Sequence, residues 1–420
     1  MSGVIAEVSV VPPASGVGVD VLFSFPPTGD TMNLPLRDRA VLDTFRTKAG
    51  EYLSRVVPLV ARLNVTTRQA ARAMEVLLNA GGMLTEILVQ DRPERLLELQ
   101  DKFRAAWPVW ARADWGDPDL PLPIVQMNCH DDTVPLEMLP VFDFGALDPI
   151  RTYDDLVRAA SRFLGFAAMV RRVVPGSIDA DRVIHNDPAL PVQFLRHKRL
   201  RDALREEQFL ESLTGHVRVD GPWPVAEDGD AVQATLLRAL YAGHGLDGSG
   251  PADPPVQIHH FACHCDTTSE DFADYTLGLS TKGGWRRDIT FGQLRQEYRQ
   301  RLAEDRELGR HRAIIMLNAC GSSRTDPRSA VSFPRWFVAR GHRAFIGTET
   351  FVPDRVASGF AAAFYGRLLE ARRPLGDAVV WARRDLLRDY RNPLGLLYVT
   401  YGDTDLVIEH ARPGAYRAQP

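Results

Sequence analysis

Read along the chain, the apolar positions predict strands first, then helices, and beyond about residue 151 an alternation of the two. Two apolar runs, Val4 to Val11 and Gly18 to Phe25, are broken by Pro12-Pro13 and Pro26-Pro27 and read as strands able to form a hairpin. From Arg37 to about Leu63 and from Thr66 to about Asn79, apolar residues such as Leu53, Val56, Val57 and Val60 recur at helical spacing, and a third helix is expected from Pro93 to Ala106. Trp107 to Asp119 has the tryptophan, proline and aspartate content of a loop. A strand over Leu122 to Met127 then runs into Cys129-His130-Asp131-Asp132, a cluster read as a solvated acidic turn in preference to a site. A helix from Tyr153 to Leu164 and a strand from Phe166 to Val174 follow. Glycine, proline and aspartate cluster between Asp143 and Arg151, which places the break between two halves there.

The second half alternates. Helix Lys198 to Leu213 leads to strand His216 to Val219. Helix Asp230 to Leu240 leads, through the glycine-rich loop Gly243 to Gly250, to an apolar strand from Val256 to His264. Thr267 to Asp288 shows no period and is expected to be an irregular insertion beside that strand's end. Thr290 and Gln293 form a capping-box pattern opening a helix to about Leu308. It feeds a second apolar strand, Ala313 to Cys320. A helix from Ser332 to before Gly341, a strand from Arg343 to Gly347, helices opening at Pro353 and Pro374, and a strand over Gly395 to Tyr401 complete the chain. Such alternation implies an α/β fold with a mostly parallel sheet, helices on both faces and right-handed crossovers. No repeat of fixed period is visible.

Composition narrows the function without choosing it. A formal charge of −4 gives no footprint for nucleic acid. The basic residues are nearly all arginine, and none of the four lysines, Lys48, Lys102, Lys198 and Lys282, stands in a phosphate-loop sequence. The arginine pairs Arg171-Arg172, Arg372-Arg373 and Arg383-Arg384 read as solvated element ends. No membrane span or leader pattern is seen, so a cytoplasmic protein with no membrane partner is expected. The four cysteines, Cys129, Cys263, Cys265 and Cys320, are expected to be free thiols. Cys263, His264 and Cys265 are consecutive on a strand, so their side chains alternate in direction and cannot share one ion; no metal and no cofactor is expected. His259 and His260 read as packed strand residues.

Two strand ends carry the candidate chemistry. Buried parallel strands deliver side chains at their carboxyl ends, and here one ends at His264 and the other at Cys320, 320 − 264 = 56 residues later. A thiol of ordinary pKa about 8.5 becomes a useful nucleophile beside an imidazole. Gly321, Ser322 and Ser323 would let a substrate backbone approach, and the Cys320 amide can donate to an oxyanion. A histidine and a cysteine also end strands by chance, and spacing alone leaves both readings open.

The segments His-Phe-Ala-Cys-His264, Leu-Asn-Ala-Cys320, Ala344-Phe-Ile-Gly-Thr348, Val352-Pro-Asp354, Phe360 to Tyr365, Asn392-Pro-Leu-Gly-Leu-Leu-Tyr398 and Tyr401-Gly402-Asp403 occur in that order. Together they resemble the CHAT domain, a caspase-like peptidase family, and upstream Val134-Pro-Leu-Glu137-Met-Leu139 resembles another element of the same family. The resemblance is dense from about 255 to 408. It implies a caspase-like three-layer sandwich, with an N-terminal α+β region over 1–150 serving as a degenerate half or a partner-sensing part, the peptidase domain over 151–410, and a tail over 411–420. It further implies His264 as base, Cys320 as nucleophile and a cysteine endopeptidase acting on a partner protein, encoded nearby or part of a bacterial defence system, with an activating partner. The family commonly has glycine after the histidine, whose amide lends to the oxyanion hole; Cys265 stands there instead. Related peptidases that cut after basic residues place an acidic residue near the nucleophile. Here the position two before Cys320 is Asn318, and Glu349, otherwise read as a solvated loop residue, is the nearby acidic candidate for substrate binding along with Asn318 and Gly321. The rival reading is a catalytically silent caspase-like module that binds partners.

Overall fold

The computed structural model describes residues 3–12, 18–36, 38, 40–90, 92–109, 117, 121–128, 135–143, 148–175, 182–186, 189–223, 228–246, 250, 252, 255–266, 272–304, 312–319 and 333–410. Strands β1 (Val4–Val11) and β2 (Val19–Phe25) form the expected hairpin, and β3 (Asp30–Leu36) extends it antiparallel. Helices α1 (Ala40–Val56), α2 (Thr67–Val89) and α3 (Pro93–Ala106) follow. A capping box between Thr66 and Gln69 fixes the start of α2. Next come β4 (Ile124–Asn128), α4 (Tyr153–Ala160), α5 (Leu164–Ala167) and β5 (Met169–Val173).

The later chain runs β6 (Val183–Asn186), β7 (Leu190–Arg196), α6 (Ala203–Ser212), β8 (Val217–Trp223), α7 (Gly229–Ala242), β9 (Ile258–Ala262), β10 (His264–Asp266), β11 (Thr276–Ser280), β12 (Arg286–Thr290) and α8 (Phe291–Glu304). Then follow β13 (Ile314–Leu317), α9 (Phe333–Val338), β14 (Ala344–Thr348), α10 (Asp354–Tyr365), α11 (Leu375–Tyr390), β15 (Tyr398–Gly402) and β16 (Val407–His410).

One sheet of eleven strands, ordered β3-β2-β1-β4-β5-β15-β14-β13-β9-β7-β8, spans the molecule. Strands β14, β13, β9, β7 and β8 are mutually parallel, and so are β1, β4, β5 and β15. The β14–β15 pair is antiparallel and reverses the direction between these two blocks. The carboxyl ends of β9 and β13 therefore share one edge, while β4 ends at the other, where the chain continues into Cys129 to Asp132, outside the described residues. Because β5 sits between β4 and β15, the sheet runs unbroken past the Asp143–Arg151 stretch.

Helices cover both faces of the second block. On β13, Ile314 and Met316 join the core built with α6, α10 and α11, whereas Ile315 and Leu317 join the core built with α7, α8 and α9. This is the arrangement that a continuous apolar strand requires.

Three expectations need correction. The Thr267–Asp288 stretch is not irregular throughout: β10, β11 and β12 form an antiparallel sheet, because Thr276 to Ser280 finds partners on both sides. Pro353 and Pro374 stand at the caps of α10 and α11, one residue ahead of the first turn. Arg172, Arg383 and Arg384 are buried instead of solvated. Both Glu137 oxygens accept from Arg172, each at 2.6 Å, with the two side chains 1% and 0% exposed. Arg383 also donates to the carbonyls of Gly165 and Tyr398. Burial by itself would raise the Glu137 carboxyl, but the Arg172 and Arg383 charges outweigh it and hold it below the usual range. The family-like glutamate is thus a structural anion that ties the helical connection after β4 to the middle of the sheet.

Candidate active site

Strands β9 and β13 are parallel neighbours, and their register sets Ile258 beside Ile314 through Phe261 beside Leu317. Each β9 residue is therefore opposite the residue 314 − 258 = 56 positions later. The Asn318 amide donates to the Phe261 carbonyl at 2.9 Å and carries the pairing one step past the strand. On β9 the chain bends at Cys263, and His264 opens β10, half-buried. On β13 the last described residue is Ala319, whose carbonyl accepts from Thr348 Oγ1 at 2.6 Å. Cys320 and Gly321 lie outside the described residues.

Beneath this edge lies a polar cluster that the sequence reading passed over. Glu206 Oε2 meets His260 Nε2 at 2.6 Å and accepts from Asn318 Nδ2 at 2.8 Å. His260 Nδ1 lies 2.8 Å from the Tyr365 hydroxyl, and Tyr398 donates its hydroxyl to Asn318 Oδ1 at 2.7 Å. Asn318 Nδ2 also donates to the Ala357 carbonyl. Five elements, α6, β9, β13, α10 and β15, thus converge on the residue two before Cys320. Glu206 reaches it because Ala203, Glu206, Glu207 and Leu210 form the buried face of α6 at the i, i+3, i+4, i+7 spacing. Asn318 is 6% exposed and its amide is committed to this network. A glutamate on the apolar stripe of a helix and a histidine inside a strand are the signals that could have revealed the pair.

His264 itself is held by the small sheet and by the end of β7. Its ring packs edge-on against that of His197, with centroids 4.8 Å apart at 67°. Burial lowers the His264 proton affinity, Arg286 lowers it further and Asp288 opposes them. His197 is 2% exposed, and burial together with the His264, Arg199 and Arg286 charges pushes it down to about 4, so it is neutral at neutral pH. Its Nδ1 accepts the Arg199 amide at 3.2 Å, which places the ring proton on Nε2. The sequence reading gave His197 no role.

Cys265 sits opposite Leu277 in the β10–β11 ladder, with its side chain in the core that holds Phe261 and Cys263. The bulk that replaces the family's glycine is thereby directed into the core. Glu349 is half-buried at the end of β14, its amide bonded to the Leu397 carbonyl and its charge acting on Arg172. The family-like Asn392-to-Tyr398 segment is anchored by Asn392, which donates to the Val60 and Arg62 carbonyls. A Cβ on Gly395 would lie 2.7 Å from Arg383 Cα, so only glycine fits. Among the described residues, no group of three or more histidine, cysteine or acidic side chains is placed to hold a metal ion, and no helix is long and apolar enough to cross a membrane.

A probable protease of Vitiosangium sp. (strain GDMCC 1.1324) is 34% identical over 94 residues, which are 22% of this chain and 12% of that relative. Two crystal structures of the Saccharomyces cerevisiae separase–securin complex align with 96% and 97% of the chain at 9% and 10% identity, with TM-scores of 0.43 and 0.40. In each case the chain spans 30% of the aligned separase-complex chain. The CHAT domain family matches residues 185–413, more than half of the chain, and the chain belongs to the CHAT domain family.

Proposed function

We propose that the protein is a cysteine endopeptidase in which His264 is the base and Cys320 the nucleophile. The observation that carries this reading is the register of β9 and β13. Their offset of 56 residues equals the His264–Cys320 spacing, and the two strands point toward the pair from one end of the sheet, with His264 one residue past the bend at Cys263, which supports the pairing. The even-numbered residues of both strands already share a face, since His260 and Asn318 meet through Glu206. In the reaction, the Cys320 thiol passes its proton to the His264 imidazole and its sulfur bonds to the substrate carbonyl carbon. The imidazolium returns the proton to the leaving amine as the C–N bond breaks, and water then releases the acyl group. A neutral His264 at rest suits the first step. The Cys320 and Cys265 amides are candidate donors to the oxyanion.

The substrate is a protein, and a partner encoded nearby, within a bacterial defence or other regulated-cleavage system, is the natural place to look. With Asn318 committed inside the fold, recognition by Asn318 is disfavoured, leaving Glu349 and Gly321 as the residues to test. The test is to incubate the purified chain with the products of neighbouring genes and map new termini by mass spectrometry. Cys320→Ala or His264→Ala should abolish cleavage with the fold intact. Full cleavage by either variant overturns the assignment.

The alternative, a silent binding module, rested on Cys265. Its side chain packs in the core and its φ is not in the left-handed region, which supports the peptidase reading over the silent one.

A further inference from the structure

Gly278 stands in the middle of β11, directly opposite His264 on one side and Asp288 on the other. Its φ does not lie in the left-handed region where glycine is required, so backbone freedom does not explain it. Space does. A Cβ there would lie 3.1 Å from His264 Cβ, 3.1 Å from Asp288 Oδ1 and 3.4 Å from Arg286 Nε. Glycine inside a strand, where it weakens pairing, marks a place where other groups approach closely.

The groups that approach are charged. Arg286 Nε and Asp288 Oδ1 are 2.6 Å apart on the open side of β12, both about half exposed. The same small sheet is tied to the end of β7, where the Lys198 amide donates to Ser280 Oγ at 2.9 Å and the Lys198 ammonium to the Lys282 carbonyl at 2.7 Å. That tie sets His197 against the His264 ring.

We propose that the β10–β11–β12 sheet is a positioning platform for His264, with Gly278 as the gap through which Asp288 and Arg286 act on the imidazole and His197 as the ring it packs against. None of these residues touches the reacting atoms; they act through His264. The charged and titratable groups bearing on it are Arg286 and Asp288 from β12 and His197 from the end of β7, with Arg199 beside His197. The proposal deepens the peptidase reading and rests on it, because a platform for His264 matters only if that imidazole moves a proton.

The test follows His264 directly by NMR titration of ring-13C-labelled histidine in the full chain, assigned with His264→Gln. Asp288→Asn removes the carboxylate that raises the His264 pKa and should move the His264 midpoint to lower pH. Arg286→Gln should move it to higher pH. Both positions are surface-exposed, so the variants should fold. Gly278→Ala should displace the His264 resonance and alter its midpoint. If Asp288→Asn and Arg286→Gln leave the midpoint at the wild-type value, or shift it in the same direction, the platform is refuted. Opposite shifts, with iodoacetamide labelling of Cys320 unchanged by His264→Gln, would keep the platform and sink the dyad instead.

Discussion

Strands β2 and β3 bury every second residue, whereas β9, β13 and β14 bury all of theirs. In β2, Val19, Val21, Phe23 and Phe25 face the core while Leu22 is 38% exposed. The β2–β3 hairpin thus has one packed face and one open face, and β9, β13 and β14 are packed on both. A strand fixed on both faces has little freedom to slide or twist, and β9 and β13, which lead toward His264 and Cys320, are of that kind. The comparison teaches where precision is placed. The strands with an open face tolerate polar alternation, and the strands closed on both faces hold a fixed register.

The largest predicted effect lies at the buried ion pair on β5. Arg172→Ala would strip both short hydrogen bonds from the buried Glu137, leaving it only Arg383 at 3.6 Å, and should cost about 3–5 kcal/mol, read from urea unfolding. Loss of under about 1 kcal/mol would mean that the pair does not tie the connection after β4 to the sheet. Leu34→Ala, on the packed face of β3, should cost about 2–5 kcal/mol by the same measurement. Asn318→Ala, beside β13, should cost about 1–3 kcal/mol by removing the acceptor of the Tyr398 hydroxyl and leaving Glu206 to His260 alone, and should also slow iodoacetamide labelling of Cys320.

A smaller effect depends on pH. His197 has a folded pKa of about 4, below its ordinary value of about 6.5, so the unfolded chain binds the extra proton first. Stability from this group is complete above pH about 6.5 and falls as the pH drops from there toward about 4. His197→Phe should flatten that slope, and an unchanged slope would show that the ring is not held neutral. Smallest of all, Leu22→Ser on the open face should change stability by no more than about 0.5 kcal/mol. A large loss there would mean that something covers that face.

Much of this could be read from residue order. Val256 to His264 and Ala313 to Cys320 announce buried strands by length and apolarity, and Thr290 with Gln293 forms the capping box it promises. What escaped has physical reasons. Strand β7 carries Pro191 and Gln193 inside an otherwise apolar run, yet it lies between β8 and β9; Gln193 Nε2 donates to the His244 carbonyl. Arg172 and Arg383 look solvated because their partner Glu137 is remote in sequence, and only folding brings the charges together. Glu206, His260, Tyr365 and Tyr398 come from four separate elements, so no local pattern links them.

The central claim is that one imidazole sharpens one thiol across neighbouring strands. Iodoacetamide labelling at neutral pH, followed thiol by thiol with mass spectrometry in the wild type and in His264→Ala, tests it most directly. The account predicts that Cys320 reacts well ahead of Cys129 and the buried Cys263, and that His264→Ala removes that lead. Labelling spread evenly over the thiols, or a Cys320 rate indifferent to His264, would contradict it.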